Sequence, residues 1–349
     1  GVSPQSTNIT INGIPFNDPE SMGTFWVNLP DFSSSIESLQ VQRGVGTSTN
    51  GSGAFGASIN ILTDIVSDQP YAELSSSFGS YNTLKNTIKF STGKINDYFE
   101  LSGRLSKIDS DGYVDRAYSD LKSYFVQGAY TNGSTLIKAI SFGGHEKTYQ
   151  AWDGLSMDQV LENRRQNPLT YENEIDNYKQ DHFQLHWNEK INNYWSFNLG
   201  LNYTDGRGYF EQYKEDDDIN TYGGIVKSDI DSNGNETGTT DLIRRRWLDN
   251  DFYVLNSSIN YIKDKIDLTL SSSYSSYVGD HYGEVIWARS LSNTGEIRDR
   301  YYEGLGEKKD LSFFAKLLYS INKKTELYTD IQLRGVKYNT SGTTSDLIN

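Results

Sequence analysis

The chain has 349 residues and a formal net charge of −14, with 31 Gly, 25 Tyr and 15 Phe against 6 Pro, 2 Met and no Cys. The acidic balance, with no basic patch interleaved with aromatics, excludes a nucleic-acid binder, and the missing cysteines exclude disulfides and thiolate metal sites. No stretch reaches the roughly 20 consecutive apolar residues of a membrane-spanning helix, which leaves open a membrane barrel, whose strands are only half apolar.

Residues 1–64 read as a unit of their own. They are glycine-rich and hold only short candidate strands, near 8–12, 38–43 and 57–63. Gly44, Gly46, Gly51, Gly53 and Gly56 supply backbone freedom where a loop turns sharply or lies against another backbone. A phosphate-cradling loop is the rival reading, but no G-K-[ST] follows and no helix begins there.

Residues 65–349 change character to segments of about ten residues in strict alternation. Phe99, Leu101 and Leu105 oppose Glu100, Ser102, Arg104 and Ser106. Phe183, Leu185 and Trp187 oppose His182, Gln184 and His186, while Trp195, Phe197, Leu199, Leu201 and Tyr203 oppose Ser196, Asn198, Gly200, Asn202 and Thr204. A period of two marks strands with one apolar and one polar face. Eleven are predicted, near 71–79, 83–92, 98–108, 120–130, 135–145, 178–188, 195–205, 251–262, 266–278, 310–321 and 325–336. Each is long enough to cross a bilayer at a tilt.

The connections alternate between short and long, with one exception at the first hairpin (Gly79 to Asn82). Tight links at 94–97, 131–134, 192–193, 263–265 and 322–324 separate long polar stretches at about 109–119, 146–177, 206–250 and 279–309. Short turns on one side and long loops on the other are the habit of a membrane barrel. Tyr98, Tyr130, Tyr203, Tyr253, Tyr261, Tyr274 and Tyr319 near strand ends suit interfacial girdles, or alternatively cross-strand aromatic pairs. The predicted fold class is an all-β membrane barrel preceded by a partial α/β plug. Eleven strands are half of the about 22 of plugged outer-membrane transporters. The chain has no initiating Met and stops in a loop, so it reads as an internal piece of a longer protein.

Three runs then carry a resemblance. Ile11-Asn12-Gly13-Ile14-Pro15, Ser35-Ile36-Glu37-Ser38-Leu39-Gln40-Val41-Gln42-Arg43-Gly44 and Gly51-Ser52-Gly53-Ala54-Phe55-Gly56-Ala57-Ser58-Ile59-Asn60-Ile61 resemble, in order and spacing, plug motifs of the TonB-dependent outer-membrane receptors. Asn12 stands where Asp is usual, Asn50 where Tyr is common, and Ala57 where Gly is frequent. The resemblance implies that residues 1–64 are the C-terminal half of a plug and 65–349 the first half of a barrel. It implies import of a scarce metal chelate, an iron–siderophore complex first, with cobalamin, haem or a glycan as alternatives. The implied partners are the TonB–ExbB–ExbD complex, through an upstream TonB box, and outer-membrane lipid or lipopolysaccharide. Glu37 and Arg43 are expected to face lumen charges such as Glu100 or Arg104.

The resemblance also places the ligand on plug apex loops beneath extracellular loops. Phe16, Asn17, Asp18, Phe25 and Trp26 are the apex candidates; Tyr149, Trp152, Arg164 and Arg165 are the loop candidates, with Arg244, Arg245, Arg246 and Trp247 behind them. Each competes with a plain packing role. Arginines beside aromatics would suit an anionic, aromatic-bearing chelate. Ser156-Met157-Asp158-Gln159 reads as a capping box opening a short helix through Arg165. Asp229 to Glu236 resembles the start of a calcium loop, but its closing carboxylate is out of place, so an Asx-rich hairpin tip is the better account. No catalytic constellation, resident metal site or cofactor is implied. The rivals from other classes are a surface adhesin or glycan-binding β-protein and an unplugged porin.

Overall fold

The computed structural model describes residues 3–46 and 55–345, so Gly51 and Gly53 of the glycine-rich motif lie outside the described residues. Four short strands come first: β1 (Thr7–Ile11), β2 (Ile14–Pro15), β3 (Ile36–Arg43) and β4 (Ala57–Thr63), forming one sheet in the order β2-β1-β4-β3. β1 and β4 run parallel; the other pairs are antiparallel. The β1–β2 turn is built from Asn12 and Gly13, both with positive φ (55° and 79°). That is the Asn-Gly chemistry a two-residue hairpin asks for.

The remaining strands are β5 (Pro70–Phe78), β6 (Leu84–Thr92), β7 (Phe99–Ser110), β8 (Ser119–Thr131), β9 (Thr135–Tyr149), β10 (Ile175–Lys190), β11 (Trp195–Asp218), β12 (Thr239–Lys263), β13 (Ile266–Ala288), β14 (Arg300–Asn322) and β15 (Thr325–Gly342). They form one eleven-stranded sheet in chain order, each paired antiparallel with the next. The number and order of strands agree with the alternation. Their lengths do not: much of the polar stretches at 206–250 and 279–309 is paired strand, and β12 alone has 25 residues. Such a strand is about 80 Å long. Even tilted by about 45°, it overruns a hydrocarbon core about 30 Å thick. The reason is local. Above the membrane both strand faces are polar, so hydrophobic alternation fades while backbone pairing continues.

The outward face shows where the apolar band ends. Phe183, Leu185, Trp187, Leu201, Tyr253 and Leu255 are exposed on it, with Tyr203 stacked on Phe183 and Tyr253 at 6.0 and 4.8 Å. Higher on the same strands and the same face stand Lys179, Asp181, Asp205, Arg207 and Asp249. Tyrosines there are both outward-facing and cross-strand stacked, so the two readings of the girdle coexist.

The small sheet packs on the inner face of the wall through one shared apolar core. Ile9, Ile11, Leu29, Phe32 and Ile61 from the plug side meet Phe125, Ile140 and Phe142 from β8 and β9. Each such side chain is worth about 1.5–3 kcal/mol when fully buried. Beside this core lies an ionic anchor. Asp31, in the left-handed region at φ 52°, accepts hydrogen bonds from Thr87 (2.8 Å), Ser106 (2.6 Å) and Lys85, with Arg104 at 3.3 Å. Burial alone would raise the Asp31 carboxyl, but hydrogen bonds from Lys85, Ser106, Ser34 and Thr87 outweigh it and hold the group at about 2. This corrects the expected pairing. Arg104 is engaged by Asp31, Glu100 accepts from Ser91 and Gln127, and Arg43 and Glu37 are exposed. The anchor comes from the turn after Pro30 because that turn, not β3, faces β6 and β7.

Candidate ligand-binding site

Above the plug core the loop after β2 reaches toward the wall. Asn17 fixes its shape: its Oδ1 accepts from the Ile9 amide (2.7 Å), and its Nδ2 donates to the carbonyls of Thr7 (2.9 Å) and Met22 (3.0 Å). Asp18 Oδ1 caps the next turn by accepting from the Ser21 amide (2.6 Å) and hydroxyl (2.7 Å). The loop is then tied to the wall through Glu20, which accepts from Tyr277 Oη (2.9 Å) and Tyr338 Oη (2.8 Å) and lies 2.7 Å from His281 Nε2. Lys308 Nζ donates to the Pro19 carbonyl (2.5 Å).

Between this loop and strands β9 to β14 lies a cavity of about 420 Å³. Its floor is the plug apex, with Phe16, Asn17, Asp18 and Phe25; its walls include Tyr178, Phe210, Phe252 and Tyr302. Few convergent polar groups in an aromatic cleft of this size is the usual form of a small-molecule site. A second space of about 530 Å³ lies beside the β1–β2 hairpin, lined by Asn256, Ser257, Ser271 and Ser273 among others. That lining is the hydrated inner face of the wall, without the aromatic enclosure.

The cavity's titratable lining is mostly acidic. Glu146 and Asp176, on neighbouring strands β9 and β10, share a hydrogen bond, and Thr148 Oγ1 donates to Glu146 at 3.0 Å. Both lie above the apolar band, since outward neighbours Lys147 and Lys179 are charged. Burial pushes both carboxyls up, and the charge of Asp176 raises Glu146 further. Close by, His182 is 5% exposed and stacks on Phe142 at 4.6 Å. Its Nδ1 lies 2.9 Å from Thr204 Oγ1, and its Nε2 has no hydrogen-bond partner.

Among the residues singled out in sequence, Phe16, Asn17, Asp18 and Phe25 line the cavity. Trp26 packs beside Phe16 at 5.8 Å and is 45% exposed. Gly13 forms the hairpin turn; Gly44 donates its amide to Gly56 O (2.8 Å), Gly56 to Ser6 O (2.8 Å), and Asn60 accepts from Thr10 Oγ1 (2.9 Å). The loop candidates do not converge with the apex residues. Tyr149 is buried and donates to the carbonyls of Leu169 and Tyr171. Trp152 is exposed against Phe210 at 5.5 Å, and Arg164 is exposed. Arg165 lies 3.5 Å from Asp115 and over Tyr81, which joins two loops to each other. The helix carries the expected capping box but is shorter than expected, α1 (Met157–Glu162). Arg244 to Trp247 sit within β12, alternately inward and outward, so that Arg246 faces the cavity and Trp247 packs on the outer face against Tyr209 and under Arg207.

The calcium alternative is not supported. Asp229 pairs with Arg289 (3.2 Å) and accepts from Thr240 and Ser290, while Asp231 accepts from the amides of Asn233 and Asn235 in an Asx turn. No cluster of three His, Cys, Asp or Glu able to hold a metal occurs among the described residues. Sequence reasoning missed Glu146, Asp176, Tyr178 and Phe252. Their inward position was already implied by the alternation of their strands, but not their meeting across the register.

A small sheet seated on the inner face of an antiparallel eleven-stranded wall is the architecture of part of a plugged β-barrel. Residues 1–58 match the TonB-dependent Receptor Plug Domain. That match covers the first 58 of the 349 residues, and solved structures similar to the whole chain include import receptors and a transporter. The chain's fold is similar to that of the ferric-catecholate import receptor Fiu of E. coli K12 in its open form, at 14% identity and a TM-score of 0.72 over 99% of this chain and 54% of that one. It is also similar to the ferripyoverdine receptor of the Pseudomonas aeruginosa outer membrane (12%, 0.69, 96% and 46%). The copper transporter OprC matches as well (12%, 0.69, 96% and 47%). The chain spans about half the length of these receptors. No curated protein sequence matches it.

Proposed function

We propose that the chain serves energy-coupled import of a scarce metal chelate, an iron–siderophore complex first, across the outer membrane. In this reading residues 1–64 act as plug and 65–349 as wall. The observation that carries it is the aromatic cavity whose floor is the plug apex itself. A ligand held there touches Phe16, Asp18 and Phe25 on the element that must move for passage, so binding and plug displacement involve the same loop. Pulling by the TonB–ExbB–ExbD complex supplies the work, and the outward Tyr, Trp and charged belts meet lipid and lipopolysaccharide. The named ligands of similar receptors, a ferric catecholate and ferripyoverdine, favour iron; the copper transporter keeps the metal itself open.

Growth of a deletion strain with single iron chelates, haem or cobalamin as sole source tests this reading. Loss of growth on one chelate, restored by the wild-type gene and not by one lacking the apex loop, is the expected result. Unimpaired growth on every source overturns it.

A further inference from the structure

We propose that the cavity above the plug apex selects a ligand carrying positive charge, with its cationic group between Glu146 and Asp176 and its apolar flank on Phe16, Tyr178 and Phe252. This rests on the reading of the cavity as the ligand site and deepens it.

Three observations carry the inference. The first is the balance of charge: Asp18, Glu146 and Asp176 line the cavity against Arg246 and His281. Both of these are already engaged, Arg246 over Phe210 at 5.9 Å and with Tyr301 Oη at 3.4 Å, His281 with Glu20 at 2.7 Å. The second is the carboxyl pair. Glu146 is 1% exposed and its side chain lies against Asp176. Two buried carboxyls side by side cannot both ionise cheaply, so the site as built lacks one positive charge. An ammonium or guanidinium group on the ligand supplies it, and the surrounding rings add cation–π attraction. A triply anionic chelate would instead meet like charge in a water-poor cleft.

The third observation is His182, nine-tenths buried and lining the same cavity beneath Phe16, 5.6 Å away between ring centroids. Its Nδ1 meets the Thr204 hydroxyl, to which Asn202 Nδ2 also donates (3.0 Å), and its Nε2 has no hydrogen-bond partner. A buried polar atom without a partner costs about 1–3 kcal/mol, and a polar group of the ligand offers it one.

The test is equilibrium binding to the full-length receptor in detergent. Two metal-free aromatic probes of matched shape, one with a quaternary ammonium and one with a sulfonate, are compared first. A ferric trihydroxamate bearing a pendant amine, its uncharged counterpart and a ferric tris-catecholate follow. The expected result is that the ammonium probe and the amine-bearing chelate bind at least about tenfold tighter than their anionic counterparts. The double variant Glu146→Gln, Asp176→Asn erases that preference and keeps binding of the uncharged chelate. Equal or reversed preference between the two probes, or a preference that survives the double variant, overturns the proposal. Probe selectivity intact with no chelate bound would sink the metal-chelate reading alone. His182→Gln keeps a polar end able to donate or accept and is expected to retain affinity that His182→Phe loses.

Discussion

Glu20 of the plug lies 2.7 Å from His281 of β13, and the same carboxylate accepts from Tyr277 on that strand and Tyr338 on β15. One plug side chain thus ties the apex loop to β15 and to β13, which also borders the candidate ligand cavity. Burial works against its charge, but the hydrogen bond and charge of His281, with the two tyrosines, hold it below the usual carboxylate range. The hydrogen bond to Glu20 in turn raises His281, whose outward neighbour Asp280 places it above the membrane.

The sign of the pH effect follows. The contribution of His281 is present below its ordinary value of 6.5 and is lost as pH rises through its raised one. The contribution of Glu20 is present above 4.5 and is lost as pH falls through its lowered one. The tie is therefore fully present between about pH 4.5 and 6.5 and weakens as pH rises through the raised value of His281. Glu20→Gln is expected to raise hydrogen exchange over residues 16–29 severalfold at pH 6 and to flatten its pH dependence after correction for intrinsic rates. Unchanged protection in the variant would show that the tie does not hold the loop.

Asp31→Asn tests the second anchor. Arg104 is 1% exposed, and removing its counter-charge leaves a buried guanidinium, at a cost of about 3–5 kcal/mol. The expected readout is protease sensitivity of the plug with the heat-modifiable mobility of the barrel preserved. Asp31→Asn with Arg104→Met recovers most of the loss, because the uncompensated charge is gone. Because the carboxyl is held at about 2, its contribution is present above the ordinary 3.8 and is lost only as pH falls toward that lowered value. The wild-type plug is accordingly expected to stay docked at pH 4.

These contacts show what could be read in the sequence and what could not. Strand number and order followed from period-two patterning, because Phe183, Leu185 and Trp187 face lipid while His182, Gln184 and His186 do not. Where that contrast ends, the pattern goes silent: Tyr209 and Trp247 pack at 4.6 Å with Arg245 over Tyr209 at 4.2 Å, on strands first read as loop. The apex residues Phe16, Asp18 and Phe25 were reached through resemblance. Glu146 and Asp176 were not, because the register that sets Tyr178 opposite Glu146 is a tertiary fact. Of the loop arginines expected to receive an anionic ligand, Arg165 is engaged with Asp115 and the Tyr113 carbonyl, and neither it nor Arg164 lines the cavity.

Gly144 offers a purely steric test. A Cβ there would stand 2.5 Å from Pro30 Cδ and against the Asn28 carbonyl, so β9 and the plug backbone approach closer than any side chain permits. Gly144→Ala is expected to cost about 1–3 kcal/mol of plug docking through overpacking. Denaturant unfolding followed by Trp26 fluorescence, with the other tryptophans replaced by Phe, reads this against the intact barrel. An unshifted plug transition would mean that the segment relaxes freely.

The acidic pair makes the last prediction, one of stability and not of binding. Glu146 is raised by burial and by Asp176, so its contribution is present below its ordinary 4.5 and is lost as pH rises through the raised value, near 7. Without ligand, the native receptor should therefore lose stability between about pH 4.5 and 7. Glu146→Gln keeps the shape and removes the charge, and is expected to gain on the order of 2 kcal/mol over wild type at pH 8 while matching it at pH 4.5. Thermal unfolding at the two pH values measures the difference. A cationic ligand should narrow that gap, because it supplies in the wild type the charge that the variant no longer needs. A gap that is the same at both pH values would show that the two carboxyls are not held in the buried, proton-sharing arrangement from which the charge preference was argued.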